Sequence, residues 1–326
     1  MGRQDKATRE YIRDTNVFSD VLNYFVFGGK KIIEAKSLEE MDTSALLRVF
    51  GKNGSKKDVQ IYRDALKKAT LMVSDKAAYI VLGLEPQTRV DYGMPIRTFL
   101  YDGLQYDSQA KVIKEAHIAD GDKASEDEFT SGLYKEDRIL PAITVVIHFS
   151  SKPWDGATRL SDLYECDNPR LLKLAPDYKM NLIDPASMTD EDFDKFSTDM
   201  GKVLKFMKFS GDKDAMRNLL QTDKSYMNLS RKAAEVLREC ANIKLDINPE
   251  EGVVSLCKAW EDAAIEAKSE GIKEGIKEGI KEGSILSAID TYRECGISEN
   301  EIQTKIMAKY NLTEEEATDY MVKKSA

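Results

Sequence analysis

The stretch AYIVLGLEPQTRVDYGMPIRTFLYDGLQY, residues 78–106, decides how this chain folds. Its first part, entered through Lys76 and Ala77, is a near-continuous apolar run. A run of that length and β-branched content predicts a strand covered on both faces. The run stops at Glu85-Pro86-Gln87 and gives way to a polar, aromatic-rich segment. Pro95 suits the first turn of a helix, so a helix is predicted from about Met94 to Glu115 in spite of Gly103.

Working outward, DVQIYRDALKKATLMV from Asp58 is strand-like and irregular. Upstream, Tyr11, Val17, Val21, Leu22, Phe25 and Val26 recur at helical spacing, and Gly28-Gly29 supplies a stop. SLEEMD has the form of a capping box, Ser37 with Glu40, and predicts a short helix. Downstream, residues 119–138 are acidic and loop-like, and LPAITVVIHFS (140–150) reads as a second buried strand. The order helix, strands, helix, strand predicts an α/β core over residues 1–155. Beyond Trp154 the periods are helical, so residues 156–270 are expected to form a helical region, with Asn248-Pro249 a start signal for its last helix.

Residues 271–284 carry a strict repeat, GIKEGIKEGIKEG, with Gly271, Gly275, Gly279 and Gly283 in register. As a helix it would set a glycine stripe beside a ridge of Ile272, Ile276 and Ile280, a surface for pairing with another copy in a homo-oligomer. The cost of glycine, about 1 kcal/mol each against alanine, argues equally for a charged spacer. Residues 285–326 form a small helical module, with boxes Ser298/Glu301 and Thr313/Glu316 and a staple Ile297–Ile302.

Composition narrows the function. The longest apolar runs are far short of the roughly 20 residues needed to span a bilayer. MGRQDKATRE has no apolar signal region, and Lys6 stands where a myristoylation signal wants Ser or Thr. The expectation is a cytoplasmic protein without a membrane partner. Four scattered cysteines and two histidines make a zinc site an unpromising reading, which leaves carboxylates and hard cations such as Mg2+ or Mn2+ for any metal chemistry. The first 116 residues hold 19 Lys and Arg against 16 Asp and Glu; the remainder holds 29 against 41. Phosphate contacts are therefore expected in the first third.

No phosphate-binding glycine loop, nucleophile elbow or zinc-protease helix is present. Acidic residues at strand ends remain. Asp64 and Glu85, on neighbouring strand-like stretches, could hold a divalent cation between them, the arrangement that phosphodiester hydrolysis needs. In the following helix Arg97, Tyr101 and Gln105 share one stripe and Asp102, Tyr106 and Gln109 the next. Its apolar stripe is thin, which fits a functional face. Arg97 could grip a phosphate, or could pair with Asp64 or Asp102 as a structural ion bridge.

YRDALKK (62–68), GLEPQTRVDYGMPIRTFLYDGLQYDSQ (83–109), LPAITVVIHFSSKPWDGATRLSDLY (140–164) and APDYKMNLID (175–184) together resemble the Rpn family of recombination-promoting nucleases and transposases, within the PD-(D/E)XK nuclease superfamily. FSDVLNYFVFGG (18–29) resembles its opening helix, and VVSLCKAWEDAAIEAKSEGIKEG (253–275) its glycine-rich tail. The resemblance implies a PD-(D/E)XK restriction-endonuclease-like core and Mg2+- or Mn2+-dependent cleavage of double-stranded DNA. It implies Asp64 and Glu85 as metal ligands, Gln87 in the place of the superfamily's usual lysine, and a part for Asp20 and Asn23 in the first helix. Lys67, Lys68, Arg97 and Tyr101 are expected to contact or support DNA. Pro86 stands where the family usually has asparagine, and its missing N–H is expected to alter the strand end. The alternative expectation is a weak or inactive nuclease fold serving as a DNA-binding or oligomerising module.

Overall fold

The computed structural model describes residues 2–41, 44–50, 56–62, 65–73, 76–121, 125–241, 243, 245, 247, 248 and 252–323. They fall into two compact units, residues 1–257 and 258–326. The first opens with α1 (Arg3–Ile12) and α2 (Thr15–Phe27). Asp14 caps the second by accepting from the Asn16 N–H at 3.1 Å, and Gly28 ends it at φ 63°, where a side chain would be strained.

Seven strands follow: β1 (Leu38–Glu40), β2 (Ser44–Phe50), β3 (Lys56–Tyr62), β4 (Ala65–Val73), β5 (Lys76–Gln87), β6 (Ala142–His148) and β7 (Asn181–Ile183). β2 and β3 pair only with each other; the rest make a five-stranded sheet in the order β1-β4-β5-β6-β7. β1, β4 and β5 are antiparallel neighbours, whereas β6 and β7 join in parallel. The parallel step from β5 to β6 needs a crossover, which α3 (Met94–Asp120) and α4 (Glu126–Ser131) supply. β5 is buried on both faces from Gly83 to Pro86, as its apolar run requires.

Three expectations change here. Ser37 does not open a helix: it closes a short 3-10 turn, its hydroxyl donating to Glu34 O at 2.8 Å. The next three residues pair with β4 as β1, and that sheet pairing outweighs the local capping preference. The acidic loop contains α4, whose capping box is Ser125 with Glu128. Residue 155 is not the edge of the sheet, because β7 adds its fifth strand from beyond it. Pro249 lies outside the described residues, and the last helix of this region opens at Leu256, after a strand at Val253–Val254, not at Asn248-Pro249.

The rest of this unit is helical: α5 (Pro169–Leu172), α6 (Asp190–Asp194), α7 (Met200–Phe209), α8 (Lys213–Thr222) and α9 (Arg231–Cys240), with the two-residue strands β8 (Leu229–Ser230) and β9 (Val253–Val254). Val203, Leu204, Phe206 and Met207 of α7 and Ala233, Ala234, Val236 and Leu237 of α9 are buried, and α9 packs on both α1 and α7. α10 (Leu256–Glu294) begins at the end of this unit and carries the glycine repeat as helix, with Ile272, Ile276 and Ile280 exposed.

In the second unit, Ile285 and Ile289 of α10 pack with Ile302 and Ile306 of α11 (Glu299–Tyr310) and Ala317 of α12 (Glu314–Lys323). Ile297 packs on the same cluster as Ile302, as a staple would. The Thr313/Glu316 box forms, with Glu316 Oε2 2.8 Å from the Thr313 N–H. The Ser298/Glu301 box does not form: Ser298 caps nothing with its side chain, and Glu301 faces Lys305 at 3.5 Å. Among the described residues no helix is long and apolar enough to cross a membrane.

Candidate functional site

Glu85 lies near the C-terminal end of β5, the central strand, and is fully buried. Burying a lone carboxylate is costly, so it needs a partner. That partner is Arg97, whose Nη2 contacts Glu85 Oε1. Arg97 Nη1 lies 3.3 Å from Asp91 Oδ2, and its Nε donates to the Tyr101 hydroxyl at 2.9 Å. Burial would lower the arginine pKa, but Glu85, Tyr101 and Asp91 together drive it above its usual value, so the charge is permanent. The local chain builds this cluster. Asp91 accepts from the Gly93 N–H at 2.9 Å in a turn that opens α3, and Pro95 then fits the first helical turn. Arg97 and Tyr101, four residues apart, consequently share one helix face.

Arg97 does not pair with Asp102, one of the two structural partners the sequence offered it. Asp102 is buried and accepts from the Thr144 hydroxyl at 2.6 Å and the Tyr178 hydroxyl at 2.8 Å. Farther along α3, the Tyr106 hydroxyl accepts from Ala142 N–H at 3.2 Å. Gln109 bonds both Leu140 N–H, at 2.7 Å, and Leu140 O, at 3.1 Å. The second polar stripe of α3 is therefore a seam of hydrogen bonds to β6 and the residues just before it. Polar anchoring takes the place of a wider apolar stripe.

Gln87 is half-buried and is the Cα partner of His148 across the parallel β5–β6 pair. Partnered residues share a face, so Glu85, Gln87, Val146 and His148 lie on one side of the sheet. His148 is buried; its Nδ1 sits 3.5 Å from Asp184 Oδ1, too poorly aligned for a hydrogen bond. Gln87 also lines a cleft of about 500 Å3 with Arg3, Asp5, Arg89 and Asp91. Arg3, Arg89 and His148 are the additions that tertiary structure makes to the expected site. Only the position of His148 at the end of a buried strand hinted at it in the sequence.

On the β6 side Pro86 leaves the strand end intact. Gln87 O accepts from Phe149 N–H at 2.7 Å, so residue 87 turns its peptide groups toward β6 and residue 86 turns the other way. The missing N–H therefore takes nothing from the β5–β6 ladder.

Other expected residues serve elsewhere. Asp20 accepts from the Ser197 and Thr198 N–H groups at 2.9 and 2.8 Å and from both hydroxyls at 2.8 and 2.6 Å. Asn23 accepts from Ile32 and Ile33 N–H and donates to Ile33 O at 2.9 Å. Both hold loops onto α2. Lys67 is buried, contacts Glu40, donates to Arg13 O at 3.2 Å and lies over the Phe18 ring. The register of β4 turns it inward, toward the Phe18 ring. Lys68 is half-buried, and Tyr101 is buried beneath Arg97.

Asp64 lies outside the described residues. The residue after it, Ala65, is the Cα partner of Leu84, the residue before Glu85. The donors at this sheet end are carboxylate oxygens, the kind that hard cations take. Among the described residues, no three or more His, Cys, Asp or Glu side chains gather as a metal site. Comparison with known proteins adds no relative: no family model, curated protein or solved structure matches the chain.

Proposed function

We propose that this chain is a divalent-metal-dependent endonuclease acting on double-stranded DNA, built on a PD-(D/E)XK-type core and acting in DNA recombination or transposition. The observation that carries the reading is the buried Glu85 carboxylate near the end of the central strand, held by Arg97 of the crossover helix. Asp64 and Glu85 would hold Mg2+ or Mn2+, which supplies an activated water and neutralises charge developing on phosphate. Gln87 presents an amide that can orient that water without carrying charge. Arg97 stays cationic beside Glu85, and Arg3 and Arg89 bring positive charge, with Asp5 and Asp91, to the cleft that Gln87 lines.

One observation favours the alternative, a weak or inactive nuclease fold that binds DNA or assembles. Arg97 already neutralises Glu85 and also engages Asp91. Supercoiled plasmid incubated with Mg2+ or Mn2+ separates the two. The endonuclease reading expects metal-dependent nicking that drops at least about a hundredfold, on the scale of losing a positioned catalytic group, in Glu85→Gln and Asp64→Asn. EDTA should abolish it. Equal nicking by both variants, or none by the parent, would sink that reading. Salt-sensitive DNA binding without nicking would then support the binding module.

A further inference from the structure

Within the second unit, one face of α10 carries an uncovered apolar ridge: Ile272, Ile276 and Ile280 are 53%, 57% and 66% exposed. Ile289, which packs with α11 and α12, lies about two and a half turns beyond Ile280 and so on the opposite side of the helix. Beside the ridge runs an open groove, where a Cβ added at Gly275, Gly279 or Gly283 would meet nothing within 4 Å. Lys273, Glu274, Lys277 and Glu278 are exposed and form no ion pair among the described residues, although Glu274 and Lys277 are neighbours on the helix surface.

The repeat fixes the order of these rows. At about 100° per residue, its four positions follow one another round the helix as Glu, Gly, Ile and Lys. The Gly–Ile face is therefore bordered by carboxylates on its glycine side and by ammonium groups on its isoleucine side. Each repeat advances the rows by about 40°, along the i±4 direction, so ridge and groove incline to the axis. Helices that interlock such rows cross at about −50°.

A second copy of this chain matches that face in both shape and charge. When two such helices run parallel about a two-fold axis, opposite borders meet. The isoleucine ridge of each then enters the glycine groove of the other, and each lysine row faces a glutamate row. When they run antiparallel, like borders meet, setting isoleucine against isoleucine and like charge against like. We propose that α10 joins two copies of this chain as a parallel pair crossing within residues 272–283, with isoleucine seated against glycine and lysine opposite glutamate.

Light scattering of the full chain at high micromolar concentration tests this, with twice the 36.7 kDa chain mass expected. Lys273→Glu/Lys277→Glu/Lys281→Glu and, separately, Glu274→Lys/Glu278→Lys should each give the single-chain mass with helical circular dichroism retained, because both borders then carry one sign. Mixing the two variants in equal amounts should restore the double mass. Spin labels on Cys295, in the Cys166→Ser/Cys240→Ser chain, read the orientation: the parallel crossing sets them roughly 25 Å apart and an antiparallel one roughly 50 Å. A single-chain mass for the parent, a double mass kept by either charge variant, no recovery on mixing, or the longer label distance overturns the proposal.

Discussion

Asp20 shows how a single acidic side chain in an opening helix becomes structural. Its two oxygens take four donors from Ser197 and Thr198, 177 and 178 residues away in sequence. Removing it leaves four partly buried donors without their acceptor, and hydrogen bonds to a charged group are worth about 1.5–3 kcal/mol each. Asp20→Ala should therefore lower unfolding free energy by about 3 kcal/mol or more in urea titration, and nicking per folded molecule should not change. A loss of nicking at full stability would instead give Asp20 a part in the reaction. Lys67 belongs to the same class: a buried cation whose neighbours are the Phe18 ring, the Thr15 hydroxyl and the exposed carboxylate of Glu40.

At the scale of elements, α3 and α10 teach opposite lessons. α3 has a weak apolar stripe and is held by polar side chains matched to the Leu140 and Ala142 N–H groups and to the Thr144 hydroxyl. α10 runs through its glycines as helix although the repeat lowers intrinsic stability. At Gly275, Gly279 and Gly283 an added Cβ would meet nothing within 4 Å. Alanine at these three positions should stabilise the helix by about 0.5–1 kcal/mol each, read as increased helical circular dichroism and a higher melting midpoint. If the glycine stripe pairs two copies, the same substitutions will reduce the mass seen by light scattering; a constant mass removes the stripe from assembly.

For the whole molecule, acid stability follows from carboxylates placed by tertiary contacts in the first unit. Burial alone would raise Asp14, Asp184 and Asp199, but other contacts outweigh it and hold all three below the usual range. Those contacts are Lys232 for Asp14, His148 with the Trp154 and Ala186 N–H groups for Asp184, and Lys202 with Ser230 for Asp199. Asp192, bonded to Lys195 and the Thr189 N–H, is lowered to about 2. A carboxyl lowered by folding stabilises above its unfolded pKa, near 3.9, and that contribution fades as pH falls through the folded value. Urea midpoints should thus stay level from about pH 6 to 5 and fall between about pH 4 and 2. Asp199→Asn should flatten that fall, and an unchanged slope would show that these pairs do not govern acid unfolding.

The sequence by itself determined the strands around Glu85 and Ile147, the helix opened by Pro95, the stop at Gly28 and the box at Thr313. In each, a local pattern of burial or capping coincides with the final environment. It also marked Glu85 as an acid at a strand end. Tertiary structure alone decided what that acid meets. Arg97 reaches it because α3 turns back after β5 and packs on the neighbouring β6, while Asp91 and Tyr101 complete the arginine's partners. The strand at Leu38–Glu40, the inward turn of Lys67 and the anchoring role of Asp20 depended on partners distant in the chain. Local sequence cannot encode them, because the energy that selects each conformation is supplied by groups that become neighbours only on folding.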